Sequence, residues 1–228
     1  YTLGQYYTLL NAGFALVPTA GSANGVHPVP AGFSRVYVHQ PNGFSYEKWL
    51  AGLKHGRSFV TTGPMLFAKV NGQQPGAKLA LAKDGGEVTV TGEVISKTPV
   101  LFLEIVANGR PVLKIRARPK TTPSDARQMT FSATLPIKTS GWIAVRCFEE
   151  RPGGRLRFAH TGQWSIDVPG KPLRPSPEEK EYLIRRVREE MNRSKDIVSV
   201  EAMAEYKAAL AHYQGLATSN APTPEARA

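Results

Sequence analysis

Between Met65 and Val168 apolar residues recur at every second position, and turn residues break the pattern at short intervals. A period of two admits strands and excludes amphipathic helices, so it constrains the fold more than any other feature. Val88, Val90 and Val94 alternate with Thr89, Thr91 and Glu93, giving one dry face and one wet face. Phe131, Ala133, Leu135 and Ile137 repeat the pattern. Val100 to Ala107 and Pro111 to Arg116 flank Asn108-Gly109, the dipeptide that best accepts the positive φ angles of a type I′ hairpin. Gly141 to Phe148 is a continuous apolar strand, and Phe158 to Val168 closes the set. About six or seven such strands, joined by short turns, predict an antiparallel β-sandwich. It is Ig-like in shape alone, because the single cysteine, Cys147, excludes the Cys…Trp…Cys framework and reads as a small buried hydrophobe. Arg118 to Arg127, rich in proline, threonine and charge, reads as an exposed connection.

The flanking segments have a helical texture. Gln5 to Ala12 reads as the end of an amphipathic helix stopped by Gly13. Phe14 to Thr19 reads as a short buried strand leading into a loop at Gly21, and Ser34 to His39 as a second strand. Ser45 caps a helix, with Phe44 and Trp49 at hydrophobic-staple spacing and Gly56 at its end. Tyr46, Trp49, Leu50 and Leu53 share one face of that helix, which is expected to pack into a core. Arg57 to Thr62 is a further strand, cut by Gly63-Pro64; Thr61 and Thr62 at its end read as site lining or as simple β-propensity, the second reading being favoured. A helix feeding a strand with a polar loop at its far end is half of a β/α barrel unit. After a proline-rich linker, Lys171 to Pro177, the run Ser176-Pro177-Glu178-Glu179 combines N-cap, first-turn proline and capping-box glutamate. A second helix over about Ser199 to Gln214 completes a helical hairpin. The final TSNAPTPEARA has the composition of a disordered tail.

The formal charge is +11, from 29 basic and 18 acidic residues. The cations are scattered, with no dense run and no aromatic-interleaved basic motif, so no nucleic-acid partner is expected. No segment approaches the roughly 18 apolar residues of a membrane span. The chain starts at Tyr1 within a helical pattern, which predicts a piece of a longer protein whose earlier segment supplies most of any active site. Compartment is not decided by these features.

Chemistry is sought where an apolar strand breaks into small polar residues, since side chains and backbone N–H groups there can face a ligand. That place is Leu16 to His39, with Gly21, Ser22, Asn24, Gly25 and His27. The competing reading is a plain turn carrying an exposed histidine. The chain has five histidines, His27, His39, His55, His160 and His212, and no pair has the spacing of a metal-binding helix. His55 and His212 lie on helices and read as solvated, and His160 as a structural hydrogen-bonding group. Ser22 and Asn24 suit orientation of a substrate or anion. The loop lacks the spacing of a phosphate-binding glycine loop.

The run TAGSANGVHP…RVYV, followed by FSYEKWLAGLKHGRSFVTTGPML, VNGQQPG and RFAHT, resembles the C-terminal part of bacterial CehA/McbA-type metallohydrolases, relatives of the PHP barrel. The resemblance covers roughly residues 1–168. It implies a divalent metal (zinc, manganese or iron), a metal-dependent hydrolysis of an ester or phosphoester, and His27 as a metal ligand. In metal-binding members the loop resembles Gly-Ser-Asp-x-His; here Gly21 and Ser22 match, Ala23 stands in the Asp position, and His27 comes later. The alternative is a catalytically degenerate barrel that serves as a binding or scaffold module through its sandwich. The expected architecture is therefore the C-terminal portion of a PHP-like β/α barrel (residues 1–64), an antiparallel Ig-like β-sandwich (65–170), a linker with a helical hairpin (171–216) and a disordered tail (217–228).

Overall fold

The computed structural model describes residues 2–26, 28–116 and 118–219. In chain order the elements are α1 (Thr2–Asn11), β1 (Arg35–Val38), α2 (Tyr46–Lys54), β2 (Ser58–Thr61), β3 (Met65–Val70), β4 (Lys78–Ala80), β5 (Gly86–Ser96), β6 (Val100–Ala107), β7 (Arg110–Arg116), β8 (Lys120–Thr121), β9 (Arg127–Ile137), β10 (Gly141–Arg151), β11 (Arg155–Thr161), β12 (Trp164–Asp167), α3 (Pro177–Ser194) and α4 (Val200–Gly215). They fall into two units, one within residues 17–172 and one formed by residues 2–16 with 173–219.

The larger unit is built from two sheets. One has eight strands in the order β1-β2-β11-β10-β12-β4, with β6 and then β7 extending from β10; the other runs β3-β5-β9-β8. All pairings are antiparallel except β12 with β4. The alternation seen in the sequence becomes the packing: Leu66, Val88, Val90, Phe131 and Leu135 of the small sheet share one core with Leu103, Ile105, Ile143, Val145 and Trp164 of the large one. The β6–β7 hairpin turns at Asn108 (φ 48°) and Gly109 (φ 86°), both in the left-handed region that the type I′ turn demands. The connection after β7 is not wholly irregular, since β8 adds a short edge pairing to β9.

The expected β/α barrel is absent. Residues 14–19 form no strand, and no barrel closes among the described residues. β1 and β2 are antiparallel, where a β/α unit requires parallel neighbours, and β2 pairs β11. The reason lies in the packing: Tyr37 and Phe59 stack at 5.2 Å, Phe59 belongs to the sandwich core and Tyr37 packs against it. It is therefore an extension of the sandwich, and the chain is mostly β. The expected burial of the α2 stripe holds only in part. Ser45 caps α2 through the Lys48 N–H, and Trp49 and Leu53 are half-buried, but Tyr46 is 61% exposed, Leu50 42% and Phe44, before the cap, 81%. The buried residue of α2 is Gly52, where a Cβ would collide with Val38 Cγ1, so the helix rests on β1 through a glycine.

The smaller unit holds α1, α3 and α4. Ser176 accepts from the Glu179 N–H while Glu179 returns the bond to the Ser176 N–H at 2.8 Å, the capping box legible in the sequence. Asn11 Nδ2 donates to Glu179 Oε1 at 2.7 Å, tying the end of α1 to the start of α3. Lys180 Nζ donates to the Leu216 carbonyl at 2.8 Å, so the start of α3 lies beside the end of α4. Most of the expected disordered tail, residues 220–228, lies outside the described residues. No described helix is long and apolar enough to cross a membrane.

Candidate functional site

The loop singled out in the sequence lies between residue 17 and the first residue of β1. Its shape comes from short-range bonds. The Val26 N–H donates to the Ala23 carbonyl at 3.0 Å and the Phe33 N–H to the Pro30 carbonyl at 3.1 Å, making two successive turns. Ser22 closes the whole excursion: its Oγ accepts from the Ser34 N–H at 3.1 Å and donates to the Ser34 carbonyl at 3.5 Å. Asn24 Nδ2 donates to the Val29 carbonyl at 3.1 Å. Phe33 lies beneath the Arg157 guanidinium, 5.6 Å from its ring centroid, which anchors the loop against β11.

Ser22 and Asn24 are thus brought into one loop, as expected, and each spends side-chain hydrogen-bonding capacity on holding that loop shut. His27 lies outside the described residues. Ala23, where the loops of CehA/McbA-type hydrolases carry an aspartate, has φ 47°. A residue with a Cβ is disfavoured there, and aspartate or asparagine would suit that backbone better than alanine does.

The other sequence candidates sit elsewhere. Thr61 Oγ1 donates to the Pro64 carbonyl at 2.6 Å and accepts from the Gly63 N–H, while Thr62 Oγ1 accepts from the Phe158 N–H at 3.0 Å. Both hydroxyls shape the turn after β2. His39 is exposed, and His55 Nδ1 lies 2.6 Å from the Ala51 carbonyl at the end of α2. His212 meets Phe14 edge-on in the smaller unit. His160 is 1% exposed, and its Nδ1–H donates to the Thr161 carbonyl at 2.7 Å. Burial, reinforced by the nearby Arg146 charge, pushes its pKa down to about 4, so the ring is neutral at ordinary pH.

Two polar arrangements were not legible in the sequence. Arg146 grips Glu104 through Nε at 2.7 Å and Nη2 at 2.6 Å. Glu149, 2% exposed, accepts from Ser96 Oγ and lies 3.4 Å from Arg151 Nη1. Glu104 and Arg146 lie 42 residues apart and Ser96 and Glu149 53 apart, so only the packing of the strands brings them together, whereas Arg151 follows Glu149 on β10. Among the described residues no group of three or more His, Cys, Asp or Glu is placed to hold a metal ion. No family model matches the chain, and no curated protein matches it.

Proposed function

We propose that this chain is the C-terminal, β-sandwich part of a metal-dependent hydrolase of the CehA/McbA type, acting on an ester or phosphoester. In this reading the loop of Ser22, Asn24 and His27 forms one wall of a site, and a further polypeptide segment supplies the remaining metal ligands. The observation that carries it is the segment from residue 14 to 34. It opens with strand-forming residues, FALVPT, yet forms no strand among the described residues, and Val26 is 83% exposed. Strand-forming residues that lie in neither sheet are what a chain shows when the strands they would join belong to another segment.

Elemental analysis of the complete gene product, of its His27→Ala variant and of this chain alone tests the reading. Stoichiometric zinc, manganese or iron in the complete product, reduced in the variant and absent from this chain, is expected. Metal absent from all three overturns it. The second reading, a non-catalytic binding or scaffold module, would then stand; it is favoured by alanine at position 23 and by the commitment of Ser22 to the Ser34 backbone.

A further inference from the structure

The register of the large sheet gathers residues that are dispersed in sequence. Phe148 of β10 lies opposite Phe102 of β6 on one side and Phe158 of β11 on the other, and Arg116 of β7 lies opposite Phe102. The neighbouring row reads Lys114, Glu104, Arg146, His160 across the same four strands. Leu103, Ile105, Val145, Cys147 and Ala159 are core residues, so the intervening side chains occupy the opposite, outer face. At the His160 end that face is buried, whereas the three phenylalanines are half-buried and Lys114, Arg116 and Leu156 are exposed. The Phe102 and Phe148 rings are 5.0 Å apart. Lys114 Nζ stands 3.6 Å from the Phe102 centroid, and the Arg146 guanidinium 5.4 Å from that of Phe148.

We propose that this outer face binds single-stranded nucleic acid, with the phenylalanine row stacking on bases and Lys114 and Arg116 meeting the phosphates while Arg146 stays on Glu104. The inference is independent of the hydrolase reading. Three aromatic rings on adjacent strands span about 10 Å, room for two bases, because neighbouring strands lie about 4.8 Å apart. Flat rings bordered by cations are the chemistry that holds unpaired strands without regard to sequence. Glu104 fixes the direction of Arg146, while Lys114 sits on an exposed, flexible stem that can swing off the Phe102 ring to a phosphate. The acidic groups of the face are Glu104, already paired, and the exposed Glu150. The formal +11 of the chain favours an anionic partner.

The test is fluorescence anisotropy with a labelled oligothymidylate of about ten nucleotides, a length a single sheet face can accommodate. Titrations run from about 50 to 200 mM salt, where counterion release is steep. Saturable binding is expected. Lys114→Glu combined with Arg116→Glu should weaken it about tenfold or more and flatten the log–log salt slope by about 1.4, two phosphate contacts' worth. Phe148→Leu, which keeps apolar volume but removes the ring, should weaken it about fivefold or more with the slope unchanged. Thermal melting checks that each variant folds, and Phe158→Leu gives the same reading should Phe148→Leu fail. Absence of saturable binding at the lowest salt overturns the proposal. So does wild-type affinity in both leucine variants, or equal competition by polyglutamate, which would mark a cationic surface for acidic peptides.

Discussion

Glu104→Gln is predicted to destabilise the sandwich by about 2–3 kcal/mol, although it removes no side-chain volume. Glu104 and Arg146 make two contacts, at 2.7 and 2.6 Å, and their side chains are 10% and 17% exposed. With charge centres about 4 Å apart and an effective dielectric near 20, their attraction is about 4 kcal/mol. The amide keeps one acceptor for the guanidinium but loses the charge, and Arg146 stays half-buried without a carboxylate to balance it. Partial exposure softens the loss below that of a fully enclosed pair. Urea unfolding followed by tryptophan fluorescence measures it, since Trp142 and Trp164 are both buried in the sandwich. Replacing both partners, Glu104→Leu with Arg146→Leu, should return stability to within about 1 kcal/mol of the parent, because desolvation and attraction nearly offset. A loss below about 0.5 kcal/mol for Glu104→Gln would refute the reasoning and class the pair with screened surface bridges.

Stability should fall as pH drops from about 6.5 to 4, because the unfolded His160 takes up a proton in that window while the buried ring, with its pKa at about 4, does not. The loss is of order 3 kcal/mol, stability attributable to this residue is flat above pH 7, and His160→Asn should abolish this part of the slope in pH-dependent urea midpoints. Burial pushes the Cys147 thiol up to about 12, so a thiol reagent at pH 8 should leave the folded chain unlabelled and modify it fully after unfolding. Gly92→Ala places a Cβ against the Phe67 carbonyl oxygen and 2.6 Å from Phe131 Cζ, between β3 and β9. The carbonyl cannot turn away, so thermal melting should show a loss near the top of the usual overpacking range, about 2–3 kcal/mol.

Local grammar was readable in the sequence wherever one short stretch decides the outcome. The Asn108-Gly109 turn, the Ser176–Glu179 capping box, the Ser45 cap and the alternation of β5 and β9 all took the form their residues predict. Long-range pairing was not readable. Residues 35–38 and 58–61 have the residue types of strands, and nothing in them states whether the neighbour is parallel or, as β11 is, antiparallel. The α2 stripe has the spacing of a core face, but spacing does not say what covers it, and in this chain Phe44 and Tyr46 face solvent. Residues 20–34 do form a loop, whereas the consumption of Ser22 and Asn24 by backbone partners depended on the fold of residues 29–34. The Phe102, Phe148 and Phe158 row emerges from the β6, β10 and β11 registers, so composition could show the positive charge but not its arrangement.

The central claim is that residues 14–34 form a segment whose partner strands lie in another part of the polypeptide. Hydrogen exchange by mass spectrometry, on this chain and on the complete gene product side by side, tests it most directly. The account predicts fast exchange over residues 14–19 in this chain, slow exchange in β5, β9 and β10, and protection of 14–19 gained in the complete product. Protection of 14–19 equal to that of β9 in this chain, or none gained in the complete product, would contradict it.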